Sequence, residues 1–233
     1  MPTSLTVLNL LGPFSFHFDS LEALNFTDIN LREWSTPGDC LTLLRICSAL
    51  VGFSAEINTQ SSIFKCGTRF PTTSTTDSLV SFRLRNTGIS PSVQYLLQPL
   101  HLLGLKQASI DIEWAKLGDI IRCLESSPDL EHLTLRRCME SQGVIVLDIV
   151  LRLTLRSEEQ LCPNLKSIAL YNFDLEGCDE EVTCMVMSRW YPENSTRTLE
   201  SATSDDCRLV DVLGLTYCCD EGLSLHIHNI DDD

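Results

Sequence analysis

The motif Leu-x-x-Leu-x-Leu, three apolar residues closing on a two-residue beat, returns along the whole chain. Its clearest copy is Leu130-Glu131-His132-Leu133-Thr134-Leu135. Looser copies start at Leu5, Leu21, Leu50, Leu79, Leu105, Val150, Leu165 and Leu199. A unit this short cannot bury its own apolar face, so a pattern at repeat-sized intervals predicts that each unit stacks against the next. Five of the eight intervals between starts lie between 20 and 29 residues, the span of a leucine-rich repeat. Intervals of 15 and 16 are too short for a strand and a helical return, and one of 34 needs an insertion. The consensus also places Asn or Cys ninth, where the side chain satisfies backbone groups as the chain leaves the strand. Asn58, Cys138 and Cys207 stand there, whereas Glu113 and Phe173 occupy that position in other copies.

Helical spacing fills the stretches between. Leu117, Ile120, Ile121 and Leu124 fall on one helical face, and Pro128 stops that helix. Val182, Met185, Val186 and Trp190 do the same, with Asp179, Glu180 and Glu181 at the start and Arg189 at the end, as the helix dipole favours. Leu41, Leu44 and Cys47 follow Asp39 as a cap, and Leu209, Val212, Leu213 and Tyr217 suggest a last helix weakened by Gly214. The expected fold is therefore α/β: an irregular leucine-rich-repeat solenoid, with parallel strands on the concave side and helices and loops on the convex side. Residues 1–233 read as a single repeat domain with a disordered tail at 230–233.

Of 233 residues, 43% are hydrophobic, enough for a sizeable core, yet no apolar run approaches the ~18 residues of a membrane span. Met1-Pro2-Thr3-Ser4 lacks a basic stretch, so no secretory signal is expected, and the chain reads as cytoplasmic or nuclear. With 17 Lys plus Arg against 32 Asp plus Glu, the net charge of -15 argues against a nucleic-acid partner. The chain has 11 cysteines, an odd number, and no Cys-x-x-Cys pair, so they read as small buried hydrophobes, Cys47, Cys123, Cys184 and Cys207 among them. His226 and His228 share a strand face, but the sequence places no third ligand beside them, so no metal or other cofactor is expected. No nucleophile elbow, phosphate loop or His-Glu-x-x-His appears, and no catalytic residue is assigned. An enzyme whose pocket is assembled in space is the competing reading, separable by a deep pocket with converging titratable groups.

The segment Leu161-Cys162-Pro163-Asn164-Leu165-Lys166-Ser167-Ile168-Ala169-Leu170, with the acidic stretch and helix ending at Trp190 that follow, resembles the C-terminal repeats of F-box-like proteins from mushroom-forming (basidiomycete) fungi. Cys123 to Leu133 and the closing Asp220-Glu221-Gly222-Leu223-Ser224-Leu225-His226-Ile227 fit the same pattern, and the resemblance runs from about Leu5 to Ile230. It implies repeats that select a protein substrate for a cullin-RING ubiquitin ligase. The F-box of that family, which docks on the ligase adaptor, is not expected within these residues, which open inside a repeat at Leu5-Thr6-Val7-Leu8-Asn9-Leu10. An adaptor partner is thus expected only where an F-box lies upstream; otherwise the repeats form a stand-alone scaffold.

If the fourth and sixth repeat positions face the core, the third, fifth and seventh face the concave side. That rule gathers Arg136, Arg152 and Arg156 beside Tyr171, and Arg83 with Arg85, in an otherwise acidic protein. Arg and Tyr are enriched at interface hot spots, and guanidinium groups grip carboxylates and phosphates in a two-pronged way. These six residues are the expected grip on an acidic or phosphorylated protein segment. The plainer alternative is a solvated arginine row neutralised by Glu131, Glu158 and Asp111.

Overall fold

A computed structural model of the chain describes residues 6–11, 25–57, 74–75, 77–86, 96–112, 115–137, 144–155, 161–173, 175, 177–192, 197–207 and 213–228. The chain forms two compact units, Met1–Ser127 and Pro128–Asp233. In the first, β1 (Val7–Leu11), β2 (Asp28–Ser35), β3 (Gly52–Ile57), β5 (Ser81–Asn86) and β7 (Gln107–Asp111) pair in parallel in that order. A short parallel pair, β4 (Ser74–Thr75) with β6 (Leu100–His101), stands apart from that ladder. In the second unit β8 (His132–Arg136), β9 (Ser167–Tyr171), β10 (Ser201–Asp205) and β11 (Ser224–His228) pair in the same way. Between strands run α1 (Pro37–Ile46), α2 (Leu117–Glu125), α3 (Val144–Leu153), α4 (Asp179–Trp190) and α5 (Leu213–Asp220). None of the described helices is long and apolar enough to cross a membrane.

The registers follow the motif position by position. Phe26, Leu50, Leu79 and Leu105 lead the strands of the first unit and Leu130, Leu165 and Leu199 those of the second, each at most 3% exposed. Positions four and six are buried behind them: Phe53 and Ala55, Phe82 and Leu84, Ala108 and Ile110, Leu133 and Leu135, Ile168 and Leu170. Alternation along a strand puts these on one face and leaves the polar positions on the other. Phe53 stacks on Phe82 with ring centres 6.0 Å apart. Each Leu, Ile or Phe among them taken out of water contributes roughly 1.5–3 kcal/mol.

Two copies of the motif fall elsewhere than expected. The strand assigned from Leu21 starts later, at Asp28, and its leading residue is Phe26, followed by buried Ile29 and Leu31. A phenylalanine in the first position hid the correct frame. The copy at Val150 is helical: Val150 and Leu153 lie in α3 with Ile149, all buried. There the continuous apolar run satisfies a helical face as readily as a strand. Asn58, Cys138, Leu21 and the tail at 230–233 lie outside the described residues.

Local capping follows the chemistry with some shifts. The cap of α1 is Thr36 rather than Asp39. Its hydroxyl accepts the Asp39 N–H at 3.2 Å, and the Asp39 carboxylate accepts the Thr36 N–H at 3.4 Å, with Pro37 opening the helix. In α2, Ile120, Ile121 and Leu124 are buried as expected, and the Ser126 and Ser127 hydroxyls both donate to the Cys123 carbonyl past its end. In α5 the buried residues are Leu215 and Cys218, while Leu213 and Tyr217 are 74% and 72% exposed. The stripe anticipated there has the wrong phase. Cys184 is likewise exposed, whereas Cys47, Cys123 and Cys207 are buried free thiols.

Arg189, expected at the helix end as a charge that suits the dipole, is fully buried. Its Nε donates to the Leu153 carbonyl at 2.8 Å, and its Nη1 and Nη2 donate to the Cys162 and Leu161 carbonyls at 2.9 and 2.7 Å. One guanidinium thus closes the end of α3 and fixes the turn in which Cys162 takes a left-handed φ of 50°. Burial lowers the Arg189 pKa to about 10 and pushes the Cys162 thiol up to about 12. Nearby, Arg197 lies 3.5 Å over the Trp190 ring and donates to Glu221 at 2.8 Å, while Trp190 Nε1 donates to the same carboxylate at 3.3 Å. Hydrogen bonds from Tyr191, Trp190 and Arg197 hold Glu221 below the usual carboxylate range.

Replacing Arg189 with Met strands three carbonyls away from water, and the expected loss is about 3–5 kcal/mol in urea unfolding. Arg189→Lys restores little, because an ammonium cannot span the three acceptors. For Glu221 the folded pKa lies below the unfolded one, so its contribution is complete above the ordinary carboxylate range and is lost as pH falls through the folded value. With Trp34 and Trp114, the other two of the three tryptophans, replaced by Phe, Trp190 fluorescence should change on that acid limb, and Glu221→Gln should erase the transition.

Candidate partner-binding faces

Parallel pairing carries the polar strand positions into rows. In the first unit Asn9, Asn30, Ser54, Arg83 and Ser109 stand in register. On the same face lies an open groove of about 450 Å³ whose charged lining is Asp28, Arg32, Glu56, Arg83 and Arg85. Gly52 is part of its floor, so close to the Asp28 carboxylate that any Cβ there would collide with it. Arg85 lies 3.7 Å from Glu56, an exposed pair worth about 0–1 kcal/mol, weak enough for a ligand to compete with it. Three guanidinium groups against two carboxylates make this groove locally positive in a chain of net charge -15.

In the second unit the last strand positions form the row Arg136, Tyr171, Asp205 and His228. The Arg136 guanidinium carbon sits 4.1 Å over the centre of the Tyr171 ring. Its Nε is shielded from water and has no acceptor. The next row inward is Thr134, Ala169, Thr203 and His226. Ala169 is 9% exposed, so β9 breaks the alternation of its neighbours and has a sunken residue on its polar face.

At the row's far end, His228 Nδ1 stands 3.8 Å from an Asp205 oxygen and 3.9 Å from an Asp206 oxygen. The ligating atoms of these three residues lie within 4.8 Å of one another, the described group whose donors could hold a divalent cation. Sequence spacing left His228 without further ligands; strand pairing supplies two carboxylates. The side chains are well exposed, which leaves each open to water. Behind this row Cys207, the ninth-position thiol, accepts the Phe173 N–H at 3.5 Å and faces the Leu170 and Asp205 carbonyls at 3.5 and 3.4 Å. Desolvation raises its pKa, so the sulfur stays a protonated bridge between two strand exits. Asn172 and Asp206, at equivalent exits, both turn left-handed, at φ 59° and 53°, a conformation that Asn and Asp tolerate better than most residues.

Four of the six expected grip residues are placed as anticipated in pairs: Arg83 with Arg85 on β5, and Arg136 against Tyr171. The trio of Arg136, Arg152 and Arg156 does not stand as expected. Arg152 belongs to α3 because the Val150 copy is helical, and Arg156 lies outside the described residues. Glu131, expected to neutralise the arginines, accepts from Lys166 at 2.7 Å. Arg32 was missed together with the frame led by Phe26; read from Phe26, it falls at the seventh position and faces the groove.

No protein-family model matches this chain, and no curated protein matches it.

The stacking of Arg136 on Tyr171 should appear in a double-mutant cycle as a coupling of about 0.5–1 kcal/mol. Tyr171→Phe should keep most of it and Tyr171→Leu should not, read from urea midpoints.

Proposed function

We propose that the protein is a non-catalytic protein-interaction domain of the leucine-rich-repeat type, whose polar strand face grips an acidic or phosphorylated segment of a protein partner. The observation that carries this reading is the groove of the first unit, which Arg32 of β2 and Arg83 and Arg85 of β5 line together on an open surface. Parallel strands that repeat one polar side are suited to extended ligands, since each added strand adds one more side chain of contact. Arginines offer that ligand forked donors, and the groove's local positive charge sets it apart from the rest of an acidic chain. The cellular setting we favour is substrate recognition for an F-box-type ubiquitin ligase, which rests on the sequence resemblance; a scaffold outside any ligase is the other version of the same reading.

Affinity capture from cells with quantitative mass spectrometry, followed by reconstitution with the purified partner, tests the proposal. The triple variant Arg32→Gln, Arg83→Gln, Arg85→Gln should weaken the reconstituted complex at least ten-fold while shifting stability by less than about 1 kcal/mol. Undiminished binding by a folded triple variant overturns the groove assignment. Adaptor and cullin subunits in the captured complex would support the ligase setting, and complexes holding the partner without them would count against it.

A further inference from the structure

We infer that the polar face of the second unit has its own seat for a phosphoryl group on a serine or threonine of a protein segment, with Arg136 as the cation and Ala169 as the floor. Arg136 is held rather than free. Its guanidinium plane rests on Tyr171, and its Nε is shut away from water with no acceptor, so the positive charge is partly desolvated in the resting protein. Such a group favours an anion brought from outside. Within the second unit the carboxylate of its row is Asp205, which stands beyond Tyr171, 3.8 Å from His228.

The shape beside it is the second observation. Ala169 is the smallest residue of the fifth-position row and is sunken, while Thr134 and Thr203 flank it in register on the two adjacent strands. Strands stand about 4.8 Å apart, so the two threonines are roughly 10 Å apart across an alanine, room for a tetrahedral group. Both threonines are half-buried, with Arg136 one step further along the face. A planar carboxylate would use the guanidinium alone. A phosphoryl group, with three acceptor oxygens and nearly two charges, can use the guanidinium and the hydroxyls together. The source of the phosphoryl group, a protein segment, rests on the protein-binding reading above; the seat itself does not involve the groove of the first unit.

The test titrates the full chain with acetyl-Ala-phosphoserine-Ala-amide, with its serine and glutamate counterparts, and with inorganic phosphate, following the Arg136 Nε–H resonance by NMR. The phosphoserine peptide should bind at least ten-fold more tightly than either counterpart, and inorganic phosphate should compete with it. Arg136→Gln should weaken binding ten-fold or more, and Ala169→Leu should abolish it with the arginine still present. Tyr171→Phe should change it less than three-fold. The triple arginine variant of the groove should bind the phosphopeptide as the parent does, which separates failure here from failure of the groove. Circular dichroism would verify that each variant is folded. Equal affinity for the glutamate peptide, no binding of the phosphopeptide, or full binding by folded Arg136→Gln would overturn the assignment.

Discussion

The apolar side of each strand forms a continuous face because the neighbouring strand repeats it at the same height. Backbone bonds enforce that height. The amides of Val51 and Gly52 both donate to the Thr27 carbonyl, those of Val80 and Ser81 to Val51, and those of Lys106 and Gln107 to Val80. In the second unit Lys166 and Ser167 share the Glu131 carbonyl, and Glu200 and Ser201 share that of Lys166. One carbonyl at a fixed repeat position therefore receives two donors each time, and a slip of one residue would turn every leucine to the polar side. The groove of the first unit and the rows of the second exist because that slip is forbidden.

Buried and half-buried arginines divide the labour within the second unit. Arg189 is surrounded by carbonyls and has its donors satisfied, so its charge serves architecture: it ties one helix end to one turn. Arg136 has an aromatic face and no such acceptors at Nε. The same residue type thus produces rigidity in one place and unsatisfied binding capacity in another, and the difference is the number of oxygens within reach.

Strand positions were legible in the sequence wherever leucine led the motif, because a leucine followed at intervals of three and two residues fits a strand entry and its inward side chains. The frame was lost at Phe26, whose ring fills the same space as leucine but does not share its letter, and Arg32 was lost with it. The frame was also misread at Val150, where valine, leucine and isoleucine run together and helix and strand periods cannot be told apart. The fate of Arg189 was illegible for a different reason. Whether a charge at a helix end faces water or carbonyls depends on which turns arrive beside it, and those turns come from 27 and 28 residues away. The meeting of Asp205 and Asp206 with His228 is of the same kind: adjacency across strands, settled by register rather than by local spacing.

Because the register is set by bonds from strand to strand, it holds across connections of different length. Leu50 and Leu79 lead adjacent strands 29 residues apart, and Leu165 and Leu199 do so at 34, yet both pairs present their polar residues at one pitch. The fold works as a ruler with fixed graduations and adjustable handles. Insertions between strands can lengthen or reshape the outer segments while the spacing that a ligand meets stays constant.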